Sequence, residues 1–169
     1  MRKLFFIMAL SLSLYSATLS KSGNTLGVFS MFSQSNVSIG VKLGSASIAG
    51  QTYTIGGLSA NYFVIDDLSV GLGYENWFSG APGIQKFTVE STYFVPTSEN
   101  IRPYLGLLYR RISISGYDDT NAYGYRAGLA FVQGKVLLSA GIVQERYGPA
   151  GVFLDGTQTS GEFSIGFAF

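Results

Sequence analysis

The sequence predicts an all-β protein, a closed antiparallel up-and-down β-barrel of about eight strands that spans a membrane. Apolar residues alternate with small or polar residues, with a period of two, along eight segments of the chain. Charged residues make up 12% of the sequence and aromatic residues 15%, an unusual balance for a surface covered by water. Beyond the N-terminal segment no run of eighteen apolar residues occurs, so spanning helices are not expected.

Residues 1–20 are predicted to be a secretory signal peptide. Arg2 and Lys3 precede the apolar stretch LFFIMALSLSLYS, which is followed by the small residues typical of a cleavage site. Cleavage is expected after Ser20, with Ser16 as the alternative position, and an uncleaved membrane anchor is the competing interpretation. The chain contains no Cys, so neither a lipid-modified Cys nor a disulfide is expected.

Residues 21–35 are predicted to be an N-terminal lead, and residues 36–169 the barrel domain. Residues 24–33 could instead form a ninth strand, which would put the N-terminus on the other side of the membrane. All 10 Asp and Glu residues follow the signal segment, which itself holds two of the 11 Lys and Arg residues. The mature chain is therefore nearly neutral, and no nucleic-acid partner is expected.

The first four strands are predicted at residues 36–46, 53–63, 68–77 and 85–95. Each has one apolar face, formed in chain order by Val37, Ile39, Val41, Leu43; Leu58, Ala60, Tyr62; Leu68, Val70, Leu72, Tyr74; and Phe87, Val89, Tyr93, Val95. The opposite faces carry Gly, Ser, Thr, Asn and charged residues.

The last four strands are predicted at residues 103–115, 123–132, 135–146 and 160–169. Their apolar faces hold Leu105, Leu107, Tyr109; Tyr123, Tyr125, Ala127, Leu129, Phe131; Val136, Leu138, Ala140, Ile142; and Phe163, Ile165, Phe167, Phe169. Because the opposite faces are again rich in Gly and Ser, they suit the crowded interior of a small barrel. The apolar faces then meet lipid, and closure leaves no strand edge unpaired in hydrocarbon.

The connections assign the two ends of the barrel to the two sides of the membrane. Residues 66–67, 96–102 and 133–135 lie on the side of both chain termini, which is the periplasmic side in bacterial barrels. Residues 47–52, 78–83, 116–121 and 147–158 then face the exterior. These connections are short, so a large protruding binding structure is not expected.

Charged residues fall on the inward faces of the strands, four of each sign. They are Lys42, Glu75, Lys86, Glu90, Arg110, Arg126, Glu145 and Glu162. Charges in a narrow interior are tolerated when they pair with one another. The favoured interpretation is an ion-pair network that fills the lumen, since eight strands leave room for little else. The alternative is a selective or gated pore lined by these charges.

Aromatic residues near the predicted strand ends indicate the two girdles of a membrane barrel. The periplasmic girdle is predicted to contain Tyr62, Phe63, Tyr93, Phe131, Phe167 and Phe169. The outer girdle is predicted to contain Tyr53, Tyr74, Trp77, Phe78, Tyr123 and Tyr147.

The sequence contains no His, which argues against hydrolytic catalysis. Neither a Ser-His nor a Cys-His pair can be built, and no Lys lies in a motif that would activate a Ser. Asp118 and Asp119 lack the ligand spacing of a calcium loop and are interpreted as a solvated turn. No catalytic residue, metal site or cofactor is predicted.

The stretches YFVIDDLSVGLGYENW, IRPYLGLLYRR and FSIGFAF, together with the signal segment, resemble the small outer-membrane β-barrel superfamily of OmpA-like, OmpX-like and OmpW-like proteins. The resemblance implies a bacterial outer-membrane location. It also implies a C-terminal insertion signal, formed by Phe163, Ile165, Phe167 and Phe169, that the barrel-assembly machinery reads. Glu162, Phe167 and Phe169 match the signal's pattern, whereas Ser164 stands where Gly is usual.

The predicted function is that of a monomeric, non-enzymatic outer-membrane barrel with a structural or surface-interaction role. Its expected partners are outer-membrane lipid, lipopolysaccharide and, during insertion, the barrel-assembly machinery. The alternative function is a small channel or transporter for hydrophobic or small solutes, as the resemblance to OmpW-like proteins implies.

Overall fold

A computed structural model describes residues 31–48, 51–98, 100–148 and 156–169. Eight antiparallel strands pair in sequence order and close into one barrel. They are β1 (Val37–Ile48), β2 (Gln51–Ile65), β3 (Leu68–Phe78), β4 (Ile84–Phe94), β5 (Ile101–Ile114), β6 (Thr120–Gln133), β7 (Val136–Tyr147) and β8 (Thr157–Ala168). The predicted signal peptide and residues 21–30 of the predicted lead lie outside the described residues.

The predicted fold class is confirmed. Each predicted strand coincides with an observed one, and the ends differ by a few residues: β6 begins at Thr120, three residues before the predicted start. Residues 31–35, the described part of the lead, form turns rather than a strand. No helix among the described residues is long and apolar enough to cross a membrane.

The strands present their apolar side chains outward, as the alternation predicts. Leu58, Leu105 and Leu107 are 61%, 61% and 70% exposed, whereas Ser59 and Thr88 are buried inside the barrel. Burial of small and polar residues beside exposure of large apolar ones is the reverse of a soluble protein. Such an outer surface is stable only when lipid covers it.

The two ends of the barrel differ in their connections. The end with the start of β1, the end of β8 and the β2–β3, β4–β5 and β6–β7 connections is here termed the turn end, and the opposite end the loop end. Asp67 (φ 64°) and Gly134 (φ 61°) adopt left-handed backbone conformations in the short β2–β3 and β6–β7 turns.

The β1–β8 ladder, which closes the barrel, is short. Its six residue pairs run from Ser38↔Ala168 to Leu43↔Phe163, against twelve pairs between β1 and β2. Beyond Leu43, β1 continues to Ile48 paired with β2 alone, and β8 up to Glu162 pairs with β7 alone. The residue pairs between β1 and β8 are therefore confined to the turn-end half of this seam.

Candidate functional site: the lumen

The eight charged residues predicted to face inward all lie inside the barrel. Their side chains are between 2% and 13% exposed, and six ion pairs join them. The pairs divide into two groups, one toward each end of the lumen. Each group has two cations and two carboxylates, so each is neutral.

The turn-end cluster is built around Arg126 of β6. Its guanidinium lies 2.8 Å from Glu90 Oε1 and 2.7 Å from Glu162 Oε1, across the lumen on β4 and β8. Lys42 Nζ of β1 donates to the second oxygen of Glu90 at 2.9 Å. The Tyr104 hydroxyl donates to Glu162 Oε1 at 2.8 Å. Four strands in addition to that of Arg126 are thus joined through the interior.

The loop-end cluster is built around Glu145 of β7, which pairs with both Arg110 and Lys86. Lys86 Nζ lies 3.1 Å from Glu145 Oε2, and Arg110 also binds Glu75 Oε1 at 3.2 Å. The Lys86 ammonium lies 4.2 Å from the centroid of the Trp77 ring, a cation–π geometry.

Tyr147 contacts the loop-end cluster from the side nearer the loop end of the barrel. Its hydroxyl accepts from Lys86 Nζ at 3.3 Å. It lies 2.9 Å from Glu145 Oε2 and 2.6 Å from Gln158 Oε1, and it donates its one proton to either of these acceptors. Pairing, hydrogen bonding and ring contact together offset the loss of hydration of Lys86, which would be costly for an isolated buried charge.

Apolar side chains close the lumen on either side of the two clusters. The loop-end cap consists of Ala46, Tyr53, Ile55, Trp77, Ile84, Ile112, Ile114, Ala122 and Tyr147. The turn-end cap consists of Met31, Phe32, Phe63, Phe94, Tyr104, Ala130, Leu137 and Ala168. From end to end the lumen therefore contains an apolar cap, two ionic clusters and a second apolar cap.

Two small cavities between the described residues lie beside the clusters. One borders Lys42, Glu90 and Arg126, and the other borders Glu75, Arg110 and Glu162. Each has a volume of about 30 Å³. That is room for one or two water molecules and not for an organic ligand.

The predicted girdles are partly wrong. Tyr62, Tyr74, Phe78, Tyr93, Tyr123, Phe131, Phe167 and Phe169 point outward, but Tyr53, Phe63, Trp77 and Tyr147 are at most 5% exposed and belong to the caps inside the lumen. The alternation already indicated this, because Trp77 shares its face with Glu75 and Tyr147 shares its face with Glu145. Their position near strand ends does not override the face on which they lie.

Glycines on the inner wall make room for the aromatic side chains. A Cβ added at Gly128 would lie 2.6 Å from the Tyr104 hydroxyl, and one at Gly141 would lie still closer to it. These two glycines face each other across β6 and β7. They form a slot in which the Tyr104 ring reaches Glu162.

Outside the lumen, Arg111 and Asp119 form an exposed ion pair at the loop end, 2.9 Å apart. Hydrogen bonds from Arg111, and then from Ser113, hold the pKa of the Asp119 carboxyl below its ordinary value. Asp118 and Asp119 lie in the β5–β6 turn, as predicted. Among the described residues no group of three His, Cys, Asp or Glu side chains could hold a metal ion.

The likeness of this chain to known proteins lies in its structure. No protein-family model matches it, and no curated protein sequence matches it significantly. The N-terminal β-barrel domain of Pseudomonas aeruginosa OprF is similar in structure, with a TM-score of 0.62 and 21% identity over 80% of this chain and 98% of that domain. Neisserial surface protein A has a TM-score of 0.57 and 21% identity, over 79% of this chain and 94% of that one.

The chain has the fold of the small outer-membrane β-barrels. At 21% identity the likeness concerns the fold alone. The eight-stranded closed barrel and the outer-membrane type of fold predicted from the sequence are thereby confirmed. The outer-membrane protein OprG of P. aeruginosa also matches, at 13% identity and a TM-score of 0.48, over 79% of this chain and 95% of that one.

Proposed function

We propose that this protein is a monomeric, non-enzymatic outer-membrane barrel that stabilises the envelope and offers its loop end for surface interactions. Its lumen serves as a rigid core rather than as a conduit. The filled lumen is the observation that carries the proposal: two apolar caps enclose two neutral ionic clusters, and the cavities beside them measure about 30 Å³ each.

The contacts of the lumen support a structural role. Each ion pair joins strands that are not neighbours in the barrel, such as β4 with β6 and β4 with β7. Cross-bracing of this kind resists deformation of the barrel, because any widening separates buried opposite charges in a medium of low dielectric constant. A solute-conducting pore would require these pairs to break along the whole path.

The outer surface supports the proposed partners. The apolar belt fits lipid acyl chains, and outward-facing aromatic residues such as Tyr74, Tyr109 and Tyr123 lie toward the loop end. Lipopolysaccharide is the outer-leaflet partner that the predicted location implies. The barrel-assembly machinery is the partner expected during insertion, through Phe163, Ile165, Phe167 and Phe169.

Planar-bilayer recording tests the proposal. Purified wild-type protein in a bilayer containing lipopolysaccharide should give no steady conductance, whereas a porin of known conductance in the same bilayer is the positive control. Steady single-channel steps from the wild-type protein would contradict the filled-lumen proposal and favour the channel or transporter alternative.

A further inference from the structure

The turn-end mouth of the lumen is closed by residues that precede β1. Met31 and Phe32 are only 1% and 2% exposed, although they lie in a turn outside the barrel wall. The Phe32 ring packs against Phe94 and Phe63, with ring centroids 4.7 Å and 5.8 Å apart. Residues 31–36 are termed the plug segment below.

The backbone of the plug segment is anchored to β2 and to the β2–β3 turn. The Asp67 N–H donates to the Phe32 carbonyl at 2.8 Å, and the Ser35 N–H donates to the Phe63 carbonyl at 2.8 Å. The Phe63 N–H donates to the Asn36 carbonyl at 2.9 Å. Main-chain hydrogen bonds combined with side chains in a pocket are how proteins hold bound peptide segments.

An ion pair between Arg102 and Asp67 covers the buried Phe32 ring. The Arg102 guanidinium lies 4.2 Å from the ring centroid and pairs with the Asp67 carboxylate. The same Asp67 binds the Phe32 carbonyl through its N–H. The ring is thus enclosed by aromatic side chains on its inner side and by a paired cation on its outer side.

The pocket belongs to the barrel and not to the plug segment. Its walls come from Phe63, Phe94, Tyr104 and Leu137, on β2, β4, β5 and β7. Behind them lies the turn-end ionic cluster, which stays closed whether or not Phe32 is seated, because its pairs involve no residue of the plug segment.

We propose that the turn-end mouth is a binding site for a short peptide, bent into a turn, that carries adjacent Met and Phe side chains, and that its own plug segment occupies it in cis. A tethered ligand of this kind has an effective concentration of about millimolar, so a free peptide competes poorly with it. Release of the plug segment opens a hydrophobic peptide site at the turn end without opening a pore.

Peptide binding to full-length variants tests the proposal. The double substitution Met31→Ser and Phe32→Ser empties the pocket, and a fluorescent peptide MFSQSN, the sequence of residues 31–36, is titrated against it by anisotropy. The variant should bind this peptide at least tenfold more tightly than wild type does. The peptide MSSQSN is the control and should not bind. If the folded variant did not bind MFSQSN, or bound both peptides with the same affinity, the proposal would be overturned.

Hydrogen exchange provides a second test, and its first measurement is made on the wild-type protein. The amides of Ser35, Phe63 and Asp67 should exchange slowly, and the substitution Arg102→Gln should accelerate them while leaving the β7 amides unchanged. Rapid exchange of Ser35 and Asp67 in wild type would show that the segment is not seated and would overturn the proposal. Neither test measures conductance, so either can fail while the filled-lumen proposal stands.

Discussion

Arg110 and Arg111 are neighbours in β5, yet their side chains lie in opposite environments. The Arg110 side chain is 5% exposed and binds Glu75 and Glu145 inside the barrel, whereas that of Arg111 is 69% exposed and binds Asp119 at the surface. The strand alternation alone causes this difference. The pair therefore offers a matched comparison of a buried and an exposed ion pair within one strand.

Replacement of Arg110 by Ala should lower the free energy of unfolding by about 3–5 kcal/mol, because it leaves the buried Glu75 carboxylate without its partner. Urea unfolding in detergent micelles or lipid vesicles measures this loss. Arg111→Ala is the control and should cost less than about 1 kcal/mol, since exposed pairs contribute little. Equal losses in the two variants would contradict the assignment of Arg110 to a buried network.

Substitutions of two barrel glycines by Ala should also differ in their effect on the free energy of unfolding. Gly141→Ala is expected to destabilise the barrel by about 1–3 kcal/mol, because the new methyl group meets the Tyr104 hydroxyl and the Ala127 carbonyl. Gly161→Ala, where nothing lies within 4 Å, should be neutral or slightly stabilising. Equal free energies of unfolding for the two variants would argue against the slot between β6 and β7.

Among the strands, alternation and turn residues sufficed to predict the fold. The apolar faces are long and regular, so the phase of each strand follows from its own residues: Val70, Leu72 and Tyr74 could face only lipid once Gly71, Gly73 and Glu75 faced inward. Strand ends were less predictable, because β6 extends to Thr120 through a connection that looks polar in sequence.

The partners within the lumen could not be predicted from the strands. Whether Glu90 meets Arg126 or Arg110 depends on the register of four strands and on their tilt around the barrel, and no local pattern encodes either. The sequence does not predict the burial of Met31 and Phe32 either, since a turn has no periodicity. Only its apolar content, in a segment otherwise rich in Ser, hinted at burial.

The last strand carries a prediction about assembly. Phe169 is 67% exposed, and its backbone exchanges hydrogen bonds with Val37 at the turn end. Deletion of Phe169 should reduce the amount of barrel in the outer membrane of cells while leaving refolding into detergent nearly unchanged, because the ring is proposed to be read during insertion. Quantification of the folded fraction in membranes and in micelles tests this. Phe163→Ala is measured alongside it as a second change in the predicted insertion signal. If deletion of Phe169 reduced the folded fraction equally in membranes and in micelles, its role would be purely structural.

For the molecule as a whole, the lumen is arranged in layers that screen its charges from solvent. Both ionic clusters lie between the apolar caps, and each is neutral in itself. Added salt reaches exposed pairs readily and buried pairs poorly. The contribution of the two clusters to the free energy of unfolding should therefore change little with ionic strength.

This layering predicts the salt response of the variants. The destabilisation caused by Arg110→Ala should be nearly the same at low and at high NaCl concentration, whereas any effect of Arg111→Ala should fade as salt is added. Urea unfolding at the two salt concentrations measures both. A strong salt dependence of the Arg110→Ala effect would mean that solvent ions enter the lumen past the caps.

The short β1–β8 ladder also determines how the molecule responds to force. Val37, at the start of β1, and Phe169 are bonded to each other at the turn end. Tension applied between these two residues loads the six pairs of that ladder one at a time, in a peeling geometry, before it reaches any longer ladder. Pulled in this way, the barrel should open into a sheet by separation of β1 from β8, and the ion pairs across the lumen should be the last contacts to break.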